Sequence, residues 1–161
     1  MSDSPDRLHV CFICTGNICR SPMAAAIFAK AIDDAGLTDE VQVTSAGTGG
    51  WHVGEPADNR ARTELLAHGY PDNHVAAQLD PEHLSADLLV ALDSSHVKEL
   101  TRKRLGERVR LLRSFDPGAD SGDVPDPYYG SPEDFADVRA QIEDAVPGLL
   151  AWVHATLAER G

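Results

Sequence analysis

A chain of 161 residues fits one domain of ordinary size, and a hydrophobic content of 42% is enough for a packed core. Its 26 acidic and 14 basic residues give a net charge of −12, which argues against a nucleic acid or an anionic membrane surface as the partner. No apolar run approaches the length that spans a bilayer, and residues 1–6 lack the basic and apolar regions of a signal peptide. We therefore expect one cytoplasmic domain over residues 1–161, with residues 1–6 flexible and no membrane insertion.

Predicted strands and helices alternate along most of the chain. The apolar run at residues 8–14 predicts a central strand that is buried on both faces. Further strands are predicted at 41–45, 88–92 and 108–112, and helices at 22–35, at 58–67 and from 93 to about 105. This alternation predicts an α/β fold with a parallel sheet.

The last third of the chain begins with a loop and ends with a helix. Residues 114–131 are rich in Asp, Pro and Gly, a composition typical of loops. A helical stripe of apolar residues follows, at Phe135, Val138, Ile142, Val146, Leu149, Val153 and Leu157. Proline removes a hydrogen bond inside a helix, so we expect this helix to be interrupted or kinked at Pro147.

The junction of the first strand and the first helix has the features of a phosphate site. Gly16 and Asn17 tolerate positive φ, which lets successive backbone N–H groups turn inward as an anion-binding nest. Ser21 is predicted as the helix N-cap, and Pro22 suits the first turn. A nest at a helix N-terminus binds phosphate.

Two side chains at this junction predict chemistry as well as binding. Arg20 offers a planar fork of donors that suits two phosphoryl oxygens. A helix N-terminus and a nearby cation favour the ionised form of the Cys14 thiol, which is the nucleophilic form. We therefore predict phosphoryl transfer through a thiophosphate. A nucleotide-binding loop would end in Gly-Lys-Ser or Gly-Lys-Thr, and this loop does not.

The three cysteines lie within nine positions and cannot staple the fold, which suits a reducing compartment. Cys11 and Cys14 have the spacing of a CxxC motif, which raises the possibility of zinc or a redox pair. Residues three apart on a strand face opposite sides, so neither use is favoured. Cys11 is predicted to be a buried core thiol.

Two segments far apart in the sequence resemble a known family. The first is Cys14-Thr15-Gly16-Asn17-Ile18-Cys19-Arg20-Ser21-Pro22, and the second is Asp126-Pro127-Tyr128-Tyr129. Together they resemble the low-molecular-weight protein tyrosine phosphatases, particularly the bacterial ones, and the likeness runs over nearly the whole chain. The resemblance implies a single-domain, four-stranded parallel sheet with helices on both faces and the phosphate loop after the first strand.

The resemblance also implies roles for individual residues. Cys14 would be the nucleophile, Arg20 the phosphate clamp and Asp126 the general acid. Asp126 has three rivals in its loop, at Asp116, Asp120 and Asp123, between which composition cannot choose. Substrate would contact Thr15, Gly16, Asn17, Ile18, Cys19, Ser21, Trp51, Tyr128 and Tyr129, with Ser45 and His74 behind the loop.

Several of these residues have structural alternatives. Trp51 could cap the core instead of stacking on a phenyl ring, and His74 could be solvated instead of holding Asn17. Cys19 could form the disulfide with Cys14 that the resemblance implies, or it could be simple loop packing. Ser21 is expected to donate a hydrogen bond to the Cys14 sulfur.

The function implied is hydrolysis of phosphotyrosine in proteins, with inorganic phosphate or vanadate as active-site anions and with no metal or cofactor. One alternative is an arsenate reductase on the same fold. Such enzymes hand electrons through further cysteines, and none follows Cys19, although an external thiol could substitute. The other is a non-catalytic phosphate-binding module, against which the intact set of Cys14, Arg20 and Asp126 argues.

Overall fold

The sheet has four parallel strands, with the first strand inside it. The computed structural model describes residues 7–160, so the flexibility predicted for residues 1–6 lies outside the described residues. The strands are β1 (Leu8–Cys14), β2 (Val41–Gly47), β3 (Leu88–Ala91) and β4 (Val109–Leu111). Their order is β2-β1-β3-β4, and every neighbouring pair is parallel.

In the described part of the chain, five helices connect and cover the strands. They are α1 (Arg20–Asp34), α2 (Asn59–Ala67), α3 (Pro81–Leu84), α4 (Ser94–Arg102) and α5 (Pro132–Arg160), with 3₁₀ turns at Gly106–Arg108 and Leu112–Phe115. The sequence does not predict α3, because four residues are too few for helical periodicity to show. Within residues 7–160, no helix combines the length and the apolar character that a membrane span requires.

Alternate residues of β1 face two different parts of the core. Val10, Phe12 and Cys14 pack with apolar residues of α1, α2 and α5, whereas Cys11 and Ile13 pack with Leu100 of α4. Helices on both faces of a four-stranded parallel sheet, with the phosphate loop after β1, confirm the predicted fold. The opposite directions of the two cysteines also confirm that they do not form a CxxC site. Burial raises the pKa of the Cys11 thiol to about 12, as expected of an inert core residue.

The predicted N-cap of α1 is wrong. The helix begins at Arg20 with Cys19 as its N-cap, and no side chain caps it. Ser21 is instead the second helical residue, and its hydroxyl turns inward to the Cys14 sulfur. Pro22 does lie in the first turn, where its missing N–H leaves no helical bond unmade.

Helix α5 is 29 residues long and passes through Pro147 without a break, so the predicted interruption does not occur. A proline inside a helix costs roughly 3 kcal/mol. Apolar residues on both sides of it, including Ile142, Ala145, Leu149 and Val153, are buried against the rest of the core. Burying each such side chain contributes roughly 1–3 kcal/mol, so packing outweighs the lost hydrogen bond.

Gly148 permits a close approach between α5 and the 3₁₀ turn Leu112–Phe115. A Cβ atom at this position would lie 2.0 Å from the carbonyl oxygen of Phe115, so the backbone of that turn would have to move. We expect Gly148→Ala to lower the free energy of unfolding by about 1–3 kcal/mol, measured by urea denaturation. A decrease in the free energy of unfolding would be diagnostic, because Ala in place of Gly ordinarily stabilises a helix by about 0.5–1 kcal/mol.

Gly118→Ala is the control for this prediction. A Cβ atom there would meet nothing closer than the Asp116 carboxylate at 3.5 Å, which is ordinary van der Waals contact. Equal stability of the two variants would show that α5 is not packed this closely.

Candidate active site

The phosphate loop runs from the end of β1 to the start of α1, and its backbone turns at Asn17. Asn17 adopts φ 58°, a left-handed conformation that Asn tolerates better than most residues. Gly16 serves another purpose, since it is not among the glycines of positive φ in the described chain. A Cβ atom on Gly16 would lie 3.1 Å from the His52 ring, so the glycine lets that ring approach the loop.

The side chain of Asn17 is fully buried and every polar atom of it is bonded. Its Oδ1 accepts from the Ala77 backbone N–H at 2.9 Å. Its Nδ2 donates to the hydroxyl oxygens of Ser21 at 2.7 Å and Ser45 at 3.0 Å. These three bonds fix the shape of the loop from behind, on the side away from the pocket.

His74 holds the backbone of the same residue. Its Nε2 lies 2.7 Å from the Asn17 carbonyl oxygen, and since a carbonyl can only accept, Nε2 carries the proton. Burial lowers the pKa of His74, although this bond raises it in part. The structure therefore brings Ser45 and His74 to the positions that the family resemblance implies, and His74 is not the solvated residue of the alternative interpretation.

Cys14 is buried at the base of the loop with Ser21 beside it. The Cys14 Sγ lies 2.9 Å from the Ser21 Oγ. Because that hydroxyl oxygen already accepts from Asn17, its hydrogen is free to point at the sulfur. The Ser21 hydroxyl is therefore placed as a hydrogen-bond donor to the sulfur.

Arg20 is anchored from two directions at the entrance to α1, and its guanidinium is almost completely buried. Its Nη1 donates to Asp93 at 2.7 Å and to the Val124 carbonyl oxygen at 2.9 Å, while Nη2 lies 3.8 Å from the Asp126 carboxylate. Burial raises the pKa of Asp93, but hydrogen bonds from Ser95 and Arg20 more than offset this and bring it to about 2. Asp93 therefore stays ionised and fixes the orientation of the Arg20 guanidinium.

His96 is a residue of the site that the sequence analysis did not find. The backbone N–H of Asp93 donates to its Nδ1 at 3.2 Å, so Nε2 must carry the proton that points to the Thr15 hydroxyl at 3.0 Å. Burial lowers the pKa of His96 to about 4, and the neutral ring fits both contacts. Its signal in the sequence is its place three residues after the predicted N-cap Asp93, where a polar side chain can complete a capping box.

The pocket above the loop has a volume of about 260 Å³. Its lining residues are Cys14, Thr15, Gly16, Ile18, Cys19, Arg20, Trp51, His52, Asp126, Tyr128 and Tyr129. Among these described residues Asp126 is the only carboxylate. The structure thus brings together every residue predicted to contact substrate except Asn17 and Ser21, which shape the loop from behind.

The other three aspartates of the acid loop, which we define as residues 114–131, have partners that do not line the pocket. Asp116 accepts from the Gly118 N–H, Asp120 pairs with Arg113, and Asp123 accepts from the Ser94 N–H. The Asp126 side chain is 52% exposed and accepts only the N–H of Tyr128 among the hydrogen bonds of the described chain, at 3.1 Å. Of the four aspartates, which are all among the described residues, Asp126 alone lines the pocket.

Aromatic side chains form the walls of the pocket. Trp51 is 72% exposed, so it does not cap the core, and it lies at the rim with its ring over Gly49. Tyr128 packs edge-on against the exposed Tyr129, with 4.9 Å between ring centroids. His52 also lines the pocket, with its ring centroid 6.4 Å from that of Tyr128.

Cys19 lies in the pocket floor as a buried free thiol. Burial raises its pKa well above the usual range for a thiol, so it is not itself a good nucleophile. In this structure it is loop packing, and the disulfide with Cys14 that the resemblance implies stays a prediction.

The site combines a buried thiol, an arginine and a carboxylate in one pocket at the junction of β1 and α1, and this arrangement is that of the cysteine-dependent phosphatases. Residues 9–159 match the family model described as low molecular weight phosphotyrosine protein phosphatase, and the chain belongs to this family. It is a protein-tyrosine phosphatase, which is the predicted function and not either of the alternatives.

Known proteins resemble this chain both in sequence and in solved structure. The chain is 58% identical to low molecular weight protein-tyrosine phosphatase A of Mycobacterium tuberculosis, over 97% of this chain and 98% of that one. A protein tyrosine phosphatase structure from Entamoeba histolytica aligns with TM-score 0.88 at 30% identity, covering 92% and 98% of the two chains. The arginine phosphatase YwlE of Bacillus subtilis aligns with TM-score 0.80 at 32% identity, covering 91% and 95%.

Substitutions of Asn17 separate its backbone role from its side-chain role. Asn17→Ala removes all three side-chain bonds and also strains the left-handed backbone, whereas Asn17→Gly removes the bonds alone. Leaving buried partners unsatisfied costs about 1–3 kcal/mol for each group. We expect both variants to be less stable in urea denaturation, and Asn17→Ala to be the worse by about 1–2 kcal/mol. An Asn17→Gly protein less stable than Asn17→Ala would contradict the backbone argument.

Proposed function

We propose that the phosphate of phosphotyrosine binds to the backbone N–H groups of residues 15–20, with the Arg20 fork beside it. The phenyl ring then lies between Trp51 and Tyr128, over Ile18. The support is the pocket itself, whose floor is an anion-binding loop and whose walls are apolar and aromatic. These walls favour phosphotyrosine over phosphoarginine, the substrate that the name of YwlE indicates for that protein.

In the first chemical step the Cys14 thiolate attacks phosphorus opposite the ester oxygen. The sulfur–phosphorus bond forms while the phosphorus–oxygen bond breaks, and Asp126 gives its proton to the departing phenolate. The position of Asp126 at the pocket entrance, above the buried sulfur, supports this division of roles. Covalent transfer is also supported by YwlE, which in a Cys→Ser mutant carries phosphate on its active-site serine.

In the second step a water molecule hydrolyses the thiophosphate. The Asp126 carboxylate takes a proton from the water as its oxygen attacks phosphorus, and the sulfur leaves as a thiolate that the Ser21 hydroxyl stabilises. Inorganic phosphate is the product. Phosphate and vanadate should therefore occupy the loop as anions, and the protein's own groups carry out every proton transfer without a metal or cofactor.

The physiological substrates would be proteins that carry phosphotyrosine. The exposed rings of Trp51 and Tyr129 at the rim leave room for a side chain presented by a large partner. A nucleophile that must remain reduced suits the cytoplasm, where removal of phosphate from tyrosine would serve signalling.

Replacement of Cys14 tests the nucleophile. Cys14→Ser should lower turnover of p-nitrophenyl phosphate by roughly 10⁴-fold or more, because a serine hydroxyl is a far weaker nucleophile here. Binding of inorganic phosphate, measured by calorimetry, should persist since the nest is mostly backbone. Cys11→Ala, which lies on the other face of β1, is the control and should keep its activity. Turnover near that of the unmodified enzyme in Cys14→Ser would overturn the assignment.

The leaving group tests the general acid. Phenolate is a strong base that needs a proton, whereas p-nitrophenolate departs readily without one. In burst kinetics, Asp126→Asn should slow phosphorylation by phenyl phosphate by about 10²–10⁴-fold and phosphorylation by p-nitrophenyl phosphate much less. Asp120→Asn, which alters an exposed carboxylate paired with Arg113, should leave both rates unchanged. If Asp116→Asn shows the leaving-group dependence and Asp126→Asn does not, the acid is Asp116.

A further inference from the structure

Arg60 does not line the pocket, yet its guanidinium holds the acid loop. Its Nη2 donates to the Tyr128 carbonyl oxygen at 2.7 Å, and its Nη1 donates to the Gly130 carbonyl oxygen at 2.9 Å. Both oxygens belong to the short segment that follows Asp126. Arg60 is the second residue of α2, so the loop is bonded here to an element from a distant part of the sequence.

Asp58 joins the same arginine to the phosphate loop. Its carboxylate accepts from the Arg60 backbone N–H at 2.8 Å and from Nε and Nη2 of the guanidinium at 3.1 and 3.0 Å. Its own backbone N–H donates to the Ile18 carbonyl oxygen at 2.8 Å. A continuous path of hydrogen bonds therefore runs from the phosphate loop through Asp58 and Arg60 to the acid loop.

The orientation of this guanidinium is fixed by a third contact. Its central carbon lies 4.5 Å from the centroid of the Phe135 ring, a fully buried residue in the first turn of α5. Burial raises the pKa of Asp58, but hydrogen bonds from Arg60 more than offset this and lower it, so the partner carboxylate stays charged. The guanidinium makes four hydrogen bonds with donors fixed in one plane, whereas a lysine ammonium has three donors around a single nitrogen atom.

Asp126 depends on these anchors because it has little support of its own. The segment before it is held at Val124, whose N–H bonds Leu92 and whose carbonyl oxygen bonds Arg20. The segment after it is held by Arg60. We propose that Arg60 is a positioning residue for catalysis: by pinning Tyr128 and Gly130 it keeps the Asp126 carboxylate over the pocket, an inference that rests on the proposed role of Asp126 as general acid.

The kinetic signature of this role differs from that of a merely structural residue. Loss of Arg60 should lower the phosphorylation rate only to the extent that the leaving group needs a proton from Asp126. A displacement of about 1 Å in a catalytic group can cost about 10²-fold in rate. The loss should therefore follow the leaving group in the way that the loss of Asp126 does, and it should disappear when Asp126 is already absent.

The experiment uses Arg60→Met, which removes the fork but keeps an apolar stem against Phe135. In burst kinetics, phosphorylation by phenyl phosphate should slow by about 10- to 10²-fold, and phosphorylation by p-nitrophenyl phosphate should slow much less. Adding Arg60→Met to Asp126→Asn should change neither rate by more than about twofold, because groups that act as a unit are not additive. The Kd for vanadate should be nearly the same in Arg60→Met as in the unmodified enzyme, because Arg60 does not line the pocket.

Two further variants serve as controls. Arg62→Met changes another arginine of α2, which pairs with Asp72 instead of the acid loop, and both of its rates should be unchanged. Arg60→Lys keeps the charge and can reach one carbonyl oxygen, so it should recover part of the phenyl phosphate rate. It also replaces Arg60→Met in the test if circular dichroism shows that the latter is unfolded.

Equal slowing of both substrates, or full additivity with Asp126→Asn, would overturn the proposal while leaving Asp126 as the acid. If Asp126→Asn itself shows no leaving-group dependence, the proposed acid is wrong and the positioning role of Arg60 falls with it. These outcomes separate failure of the inference from failure of the proposed mechanism.

Discussion

The buried amide of Asn17 is the constraint on which the rest of the site depends. It bonds α1 through Ser21, β2 through Ser45 and the loop between α2 and α3 through Ala77. These bonds compensate for the left-handed backbone that Asn17 adopts at the turn of the phosphate loop. Because the Ser21 oxygen accepts the bond from Asn17, its hydrogen is free to point at the Cys14 sulfur. One side chain thus fixes the phosphate loop and orients the hydroxyl beside the proposed nucleophile.

The protein recognises an anion despite a net charge of −12, so attraction must be local. Arg20 contributes less as a free charge than as a fixed donor, because Asp93 already compensates it at 2.7 Å. A buried ion pair is weak evidence for stability, since desolvation offsets much of its attraction. In the proposed mechanism its value is preorganisation: Asp93 already holds the Arg20 donors in place, so they need no reorganisation as the reaction proceeds.

The sequence predicts the sheet and the phosphate loop because each follows from short continuous segments. Apolar runs predict the strands, and a nonapeptide of characteristic residues predicts the loop. Prediction fails where the partner of a side chain lies far away in the chain. His96 and Arg60 go unnoticed because they contact Thr15 and the acid loop, which lie 81 and about 70 positions away. Ser21 is wrongly predicted as an N-cap for a local reason, since the helix begins one residue earlier, at Arg20. Composition could not choose Asp126 among four aspartates; the family resemblance points to it, and the fold shows that it lines the pocket.

Phosphate is proposed to pass through Cys14 on its way to water. Because a thiophosphate hydrolyses in acid, the test is rapid quenching of the enzyme into alkaline denaturant during turnover of ³²P-labelled phosphotyrosine substrate, followed by peptide mapping of the trapped protein at alkaline pH. Label should appear on a single peptide, at Cys14, and should form and decay at rates consistent with turnover. Label on another residue, or no trapped phosphoenzyme at any quench time while phosphate is being released, would contradict it.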